Sequence, residues 1–474
     1  MSSPGNENAG TEGLGTRLAF YGDDFTGSTD ALEVLAFAGL ECALFLKQPT
    51  PQALQKFSRL DAIGIAGDSR GMSPQEMDAA LPDIFAALAR LAPIVHYKVC
   101  STFDSSPTIG NMGHVIEIAR KKISNGAVPI VAGNPALGRF CLFGNLFARS
   151  GTDGKVYRID RHPIMSVHPV TPMDEADLTI HLARQAKLEI AKLNFAELDR
   201  DRVSIDATVS ALMGEACDAI LFDSATPAHL TEVGRVLDAE ARRRDPANPL
   251  FVVGSSGLQY ALTQWWKASG LPAQDATRFD AFNAVDRVLA VSGSASKLTS
   301  MQIDHALAAG FVDMPLDALQ IVDDATWPAA RTAIVARCAE ALAHGRSALL
   351  HTARGPDDAR IGAMIDGLAL QGMSRAQARH EGGRTLGIRV GQLVKDILER
   401  ASLRRFVVSG GDTSSQVTQV LAPDALTIAA RLAPGAPLCR MHSSSAALDG
   451  VEVALKGGQM GSVDFFDRTR RGNS

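Results

Sequence analysis

The sequence predicts an α/β protein with two α/β domains, mainly parallel sheets and an active-site cleft between the domains. Three observations lead there. Short apolar runs recur, each ending in a small polar turn that feeds an amphipathic stretch, which is the alternation of strand and helix that builds a parallel sheet. The polar turns fall where such sheets bind ligands, outside the carboxyl ends of their strands. A stretch rich in Gly, Pro, Asp and Asn, residues 268–287, separates one alternating series from a second.

The opening unit organises the rest. Residues 18–22 are an apolar run that delivers the chain into Asp23-Asp24-Phe25-Thr26-Gly27-Ser28-Thr29-Asp30, and residues 31–38 are expected to be an amphipathic helix. A helix start favours anions through its free N–H groups. Asp23 and Asp24 are acceptors that suit a polyol hydroxyl or a metal-bound phosphate. The plainer reading is that Asp23, Thr26 or Ser28 only caps the helix, but one cap needs one such residue and several crowd this turn.

Further strands are expected at 42–46, at 62–66 running into Gly67-Asp68-Ser69-Arg70, and at 94–99 running into the polar loop Cys100 to Asn111, with a helix over 74–92. Strands at 128–131, 219–222 and 250–253 likewise end in small polar turns. In the second series, 288–291 feeds Ser292-Gly293-Ser294 and a helix over 297–309. Residues 348–352 form another strand, 406–408 feeds Ser409-Gly410-Gly411-Asp412-Thr413, and 451–455 feeds Lys456-Gly457-Gly458. The expected division is a tail at 1–16, a substrate domain at 17–268, a linker at 269–287, a nucleotide domain at 288–467 and a tail at 468–474.

Glycine lets a backbone come close to a phosphate, and helix-start amides then donate without a charged side chain. The turns at Gly293, Gly410-Gly411 and Gly457-Gly458 are expected to converge on a polyphosphate. Asp412, Thr413 and Lys456 add the metal-facing, hydroxyl and cationic groups that phosphoryl transfer uses. In the first domain Arg70 offers a planar fork for the carboxylate of a small acid, with a surface ion pair as its plainer reading. Asp24 and Asp412 are both candidates for the proton acceptor.

Other classes are weakened. Lys plus Arg total 47 against 52 Asp plus Glu, a net charge of -5, so no strong field draws nucleic acid or anionic membrane. Six scattered cysteines without a CxxC pair argue against zinc and iron–sulfur sites, and reduced cytoplasmic thiols fit best. Residues 1–16 lack the pattern of a signal peptide, and no apolar run is long enough to span a membrane. Walker A fails because Val156 follows Gly154-Lys155, and GxGxxG, GxSxG and HExxH are absent. His162 and His168 read as surface or packing residues, His96 as a core histidine.

Asp23-Asp24-Phe25-Thr26-Gly27, Ser409 to Thr413, and Lys456 to Phe466, in this order and each after a strand, resemble the four-carbon acid sugar kinase family, the ATP-dependent kinases of threonate, erythronate and 3-oxo-tetronate type. The likeness runs over residues 17–467. It implies phosphorylation of a terminal hydroxyl of a small sugar acid by ATP, with Mg²⁺ carried on the nucleotide and no separate protein metal site. By matching position it implies that Asp23, Asp24, Arg70, Lys98, Ser101, Thr102 and Asn111 face the acid. Ser294, Gly410, Gly411, Asp412, Thr413, Gly457 and Gly458 are implied to face ATP. Where the family commonly reads Lys-Val-Asp-Ser-Thr-Leu-Arg-Gly-Asn, this chain has Lys98-Val99-Cys100-Ser101-Thr102-Phe103-Asp104 and a longer hydroxyl-rich loop. That departure points to a divergent branch and a branched or oxidised acid such as 3-oxo-isoapionate. A homodimer is the expected assembly. The alternatives are a bilobed small-molecule binding protein without catalysis, and a dehydrogenase or isomerase with a nucleotide cofactor.

Overall fold

The computed structural model describes residues 15–123, 126–151, 153–168, 170–271 and 275–473. The expected N-terminal tail lies outside them up to residue 14, as do residues 272–274 of the expected linker and residue 474. The chain divides into two compact units, Met1–Gln274 and Asp275–Ser474.

In the first unit the strands are β1 (Leu18–Gly22), β2 (Cys42–Phe45), β3 (Ala62–Ala66), β4 (Ile94–Lys98), β5 (Val128–Val131), β6 (Arg139–Leu142), β7 (Asn145–Arg149), β8 (Val156–Arg158), β9 (Ile190–Leu193), β10 (Ala219–Phe222) and β11 (Leu250–Gly254). The main sheet runs β2-β3-β1-β4-β11-β5-β10-β9, and its pairings are parallel. Strands buried on both faces need near-continuous apolar sequence, which β1, β4 and β11 supply. The register sets Gly22 beside Ala66 and Lys98, and Lys98 beside Gly254, so the chain leaves four neighbouring strands at one edge. Antiparallel β6-β7-β8 forms a small separate sheet that the sequence reading passed over.

The first helix, Phe25–Phe37, begins earlier than expected. Asp24 is extended and its Oδ1 accepts from the Gly27 amide at 2.7 Å, so Asp24, not Asp23, Thr26 or Ser28, is the cap. The hydroxyls of Ser28 and Thr29 turn back onto the carbonyls of Asp24 and Thr26. They are buried members of the helix's first turns. Under this edge Tyr21 stacks on Tyr97, and Phe85 packs edge-on to both rings. Tyr97 Oη lies 2.8 Å from Ser69 Oγ, which fixes the turn that carries Arg70.

The second unit holds β12 (Leu289–Ser292), β13 (Val312–Pro315), β14 (Ala348–His351), β15 (Arg405–Ser409), β16 (Ala425–Ala433), β17 (Ala436–His442) and β18 (Glu452–Lys456), in the order β13-β14-β12-β15-β18-β17-β16. Pairing is parallel from β13 to β18, while the β16–β17 hairpin and the β17–β18 pair are antiparallel. Register sets Ser292 beside Ser409 and Ser409 beside Lys456, so the three glycine turns leave adjacent strands in one row. A C-terminal helix, Phe465–Arg471, runs through most of the expected 468–474 tail and packs Phe465 and Phe466 into the core. Buried Arg405 ties that helix to the sheet, donating to Glu452 and to the carbonyls of Asn283 and Thr469. Among the described residues no helix is long and apolar enough to cross a membrane.

Candidate active site

At the strand ends of the first unit, carboxylates and cations interlock. Asp23 is buried, and Arg70 grips both its oxygens, Nε to Oδ2 at 3.0 Å and Nη2 to Oδ1 at 2.9 Å. The remaining Arg70 nitrogen, Nη1, lies 2.9 Å from Asp24 Oδ2. The fork expected for a substrate carboxylate is therefore turned onto the two aspartates. Burial, reinforced by the charge of Asp24, pushes the Asp23 carboxyl up against the pull of Arg70. Burial works against the Arg70 cation, but Asp23 and its neighbours outweigh it and hold the proton on more firmly than usual.

Lys98 ends β4, buried, with Nζ 3.8 Å from Asp30 Oδ2. A methyl group on Gly27 would sit 2.4 Å from both Lys98 Nζ and Asp24 Oδ1, so the lysine and the aspartate close in on the helix start in the space that glycine leaves. Beyond it Cys100 Sγ lies 2.9 Å from Thr102 Oγ1, and Thr102 donates to Asp104 Oδ1 at 2.5 Å. Burial, and next the charge of Asp104, push the Cys100 thiol up. Ser101 is half-buried beside them. Phe103 carries this loop round at φ 55, a conformation that costs a non-glycine residue energy and places Asp104 inward.

Asn111 is set apart. Its Oδ1 accepts from the His114 amide at 2.7 Å and its Nδ2 donates to the carbonyls of Pro107 and Gln185. All of its polar atoms serve the loop and the helix that follows. His96 is a core histidine as expected, between Gly254 O and Gln259 Nε2, and burial lowers its pKa to about 3. His162 packs, with Nδ1 facing the amides of Ile164 and Met165. His168 Nδ1 faces Thr171.

In the second unit the glycine turns do converge. A methyl group on Gly293 would lie 1.9 Å from Thr413 Oγ1, one on Gly410 would lie 3.1 Å from the same oxygen, and one on Gly458 would lie 2.4 Å from Ser294 Oγ. Gly410 has φ 117 and precedes the helix Gly411–Leu421, whose first-turn amides have no carbonyl a turn earlier to bond. Asp412 is exposed in that first turn. Ser409 Oγ, beneath the turn, is buried and meets no partner. Such a cradle of close backbones, helix-start amides and an orphaned hydroxyl fits a nucleotide's phosphates. Lys456 is buried with Nζ 3.1 Å from Gly457 O, and burial lowers its pKa to about 8.

Four residues in the two units escaped the sequence reading. Ser296 and Thr299 both donate to Gly458 O, at 2.5 and 3.0 Å, and so hold the last glycine turn against the first. The Ser-x-x-Thr spacing at the helix start was the available cue. Asp104 and Arg139 in the first unit had none, because their relation to Cys100 comes only from the fold.

Comparison with known proteins follows the same division. The family model described as a sugar-binding N-terminal domain matches residues 18–262, and that described as a nucleotide-binding C-terminal domain matches residues 289–466. The chain is 42% identical over 459 residues to the 3-oxo-isoapionate kinase of Paraburkholderia graminis, covering 97% of this chain and 95% of the relative. It is 30% identical over 481 residues to the 3-oxo-tetronate kinase of Cupriavidus necator, covering 98% of each. With the D-threonate kinase of Salmonella typhimurium it shares 28% identity over 457 residues, 94% of this chain and 96% of the relative. A solved Haemophilus influenzae protein has the same fold, with a TM-score of 0.70, 22% identity, and coverage of 95% of this chain and 99% of that one. With both halves matched in order and the similarity running nearly end to end, the chain belongs to the four-carbon acid sugar kinase family.

Proposed function

We propose that this protein is an ATP-dependent kinase that phosphorylates a terminal hydroxyl of a small sugar acid, with 3-oxo-isoapionate as the first substrate to test. The observation that carries the reading is the convergence of Gly293, Gly410 and Gly458 on Thr413 and Ser294, a cradle with room for phosphates and none for side chains. The relative at 42% identity, named a 3-oxo-isoapionate kinase, supports the choice of acid.

In this reading the amides of Gly411, Asp412 and Thr413 and the hydroxyls of Ser294 and Thr413 bind the nucleotide phosphates, with Gly457 and Gly458 closing the cradle. ATP supplies the phosphoryl group, and Mg²⁺ arrives on its phosphates, where the exposed Asp412 would meet it. The acid binds at the ends of β1, β3 and β4. Asp24 accepts the proton of the attacking hydroxyl, since its carboxylate keeps lone pairs beyond those facing Gly27 and Arg70. Asp412 stands at a helix start, where positive potential weakens a carboxylate as a base. Lys98 offsets the charge that builds on the hydroxyl oxygen. Because ATP is its co-substrate, the enzyme is placed in the cytoplasm.

A coupled ADP assay across tetronates, 3-oxo-tetronates and branched acids tests this. Acid-dependent ADP release is expected to be greatest with 3-oxo-isoapionate. Binding of acids without any ADP release would favour a binding protein instead.

A further inference from the structure

We propose that Arg139, not Arg70, is the cation that holds the substrate's carboxylate. The inference rests on the sugar-acid reading above and deepens it by assigning the acid end of the substrate. Arg70 is already engaged by carboxylates: Nε and Nη2 donate to Asp23, and Nη1 lies 2.9 Å from Asp24 Oδ2. A guanidinium already facing two carboxylates gains little from a third.

Arg139 stands in the opposite condition. It opens β6, where its backbone pairs with Asn134 just past the end of β5, at the same edge of the sheet as Lys98 and Asp23. Nη1 is held by carbonyl oxygens, at 3.2 Å from Leu137, 3.5 Å from Gly138 and 3.2 Å from Arg149. Those contacts fix the plane of the group without neutralising it. Nε is buried and meets no acceptor. Among the described residues no carboxylate lies within ion-pair distance of Arg139. The free edge, Nε with Nη2, is one that takes a carboxylate in two parallel hydrogen bonds. A buried donor left without a partner is costly, and its occurrence marks a place where the partner comes from outside the chain.

Location agrees with chemistry. Arg70 stands in the turn after β3, and Arg139 begins β6 just after β5, so both follow strands that end at this edge of the sheet. Asp104, the acid beside Cys100, does not neutralise Arg139: its Oδ1 accepts from Thr102 and its Oδ2 faces Thr171 Oγ1 at 3.4 Å. Burial accordingly pulls Arg139 below the usual arginine value, whereas Asp23 holds Arg70 above it. The substrate would lie with its reacting hydroxyl toward Asp24 and its carboxylate toward Arg139, while Arg70 positions the two aspartates.

Calorimetric titration of the full chain with 3-oxo-isoapionate, without ATP, tests this. Arg139→Gln is expected to weaken binding about 10- to 100-fold, the range for a lost charge-assisted pair of hydrogen bonds, and Arg139→Lys to recover part of it. The corresponding ketose, which lacks only the carboxylate, is the control that a structural role would not pass. Its affinity for Arg139→Gln is expected to drop by no more than about threefold, because it has no anion to lose. Equal losses for acid and ketose, or an Arg139→Gln variant that binds the acid like the wild type, would overturn the assignment. So would a wild type that binds acid and ketose equally. ADP release, measured separately, reports whether the kinase reading stands whatever Arg139 does.

Discussion

Asp24 faces the helix with one oxygen and Arg70 with the other, so its replacement separates structure from chemistry. Asn keeps an oxygen for the Gly27 amide and removes the charge, and Asn is as good a cap as Asp. Asp24→Asn is therefore expected to leave the melting temperature within a few degrees of wild type while lowering kcat about 10²- to 10⁴-fold, checked by thermal melting beside the ADP assay. Lys456 gives a pH signature. Burial alone lowers its pKa, to about 8, and an anionic nucleotide would hold the proton on. Nucleotide affinity is thus expected to be full below about pH 8 and to fall as pH rises past it, and Lys456→Met should flatten the profile of KM for ATP. The strand-end places of the aspartate pair and Lys98 were legible in the sequence because each follows directly on an apolar run, and that of Arg70 because it lies in the polar turn after another. Asn111 was not, since the need of the following helix for a cap is visible only once the loop's end is fixed.

Among elements, the three glycine turns depend on one another. Gly293, from the turn after β12, approaches Thr413, from the helix after β15, more closely than any side chain permits. Gly293→Ala must therefore push Thr413 out of the cradle. We expect KM for ATP to rise at least about tenfold, with affinity for the acid unchanged, as steady-state kinetics and acid titration would show. Convergence of these turns was inferable because apolar runs followed by glycine mark parallel strands, and neighbouring parallel strands end at one edge. The antiparallel parts were harder to read. Alanine, which carries little strand preference, fills four of the nine positions of β16, and the alternating burial along that strand comes from packing. The start of the first helix was misplaced because Ser28 and Thr29 look like loop residues until their hydroxyls find the carbonyls of Asp24 and Thr26.

For the whole molecule, the two units carry separate reporters. Trp265 and Trp266 lie in the first unit, where both indoles donate to Asp238, and Trp327 lies in the second between Arg331 and Arg389. If acid and nucleotide bind to different units, each ligand stabilises its own. ATP at about 100 times its Kd is expected to add about 2.7 kcal/mol to the transition followed by Trp327, and the acid a similar amount to that followed by Trp265 and Trp266. Single-tryptophan variants in a denaturant series would read the two apart. The central claim remains transfer of phosphate from ATP to an alcohol of the acid. The phosphorus NMR spectrum of the product formed from ATP and 3-oxo-isoapionate tests it most directly. A new phosphomonoester signal split into a triplet by an adjacent CH₂, formed in step with ADP and only when the acid is present, is the expected result. ADP with inorganic phosphate alone would contradict it.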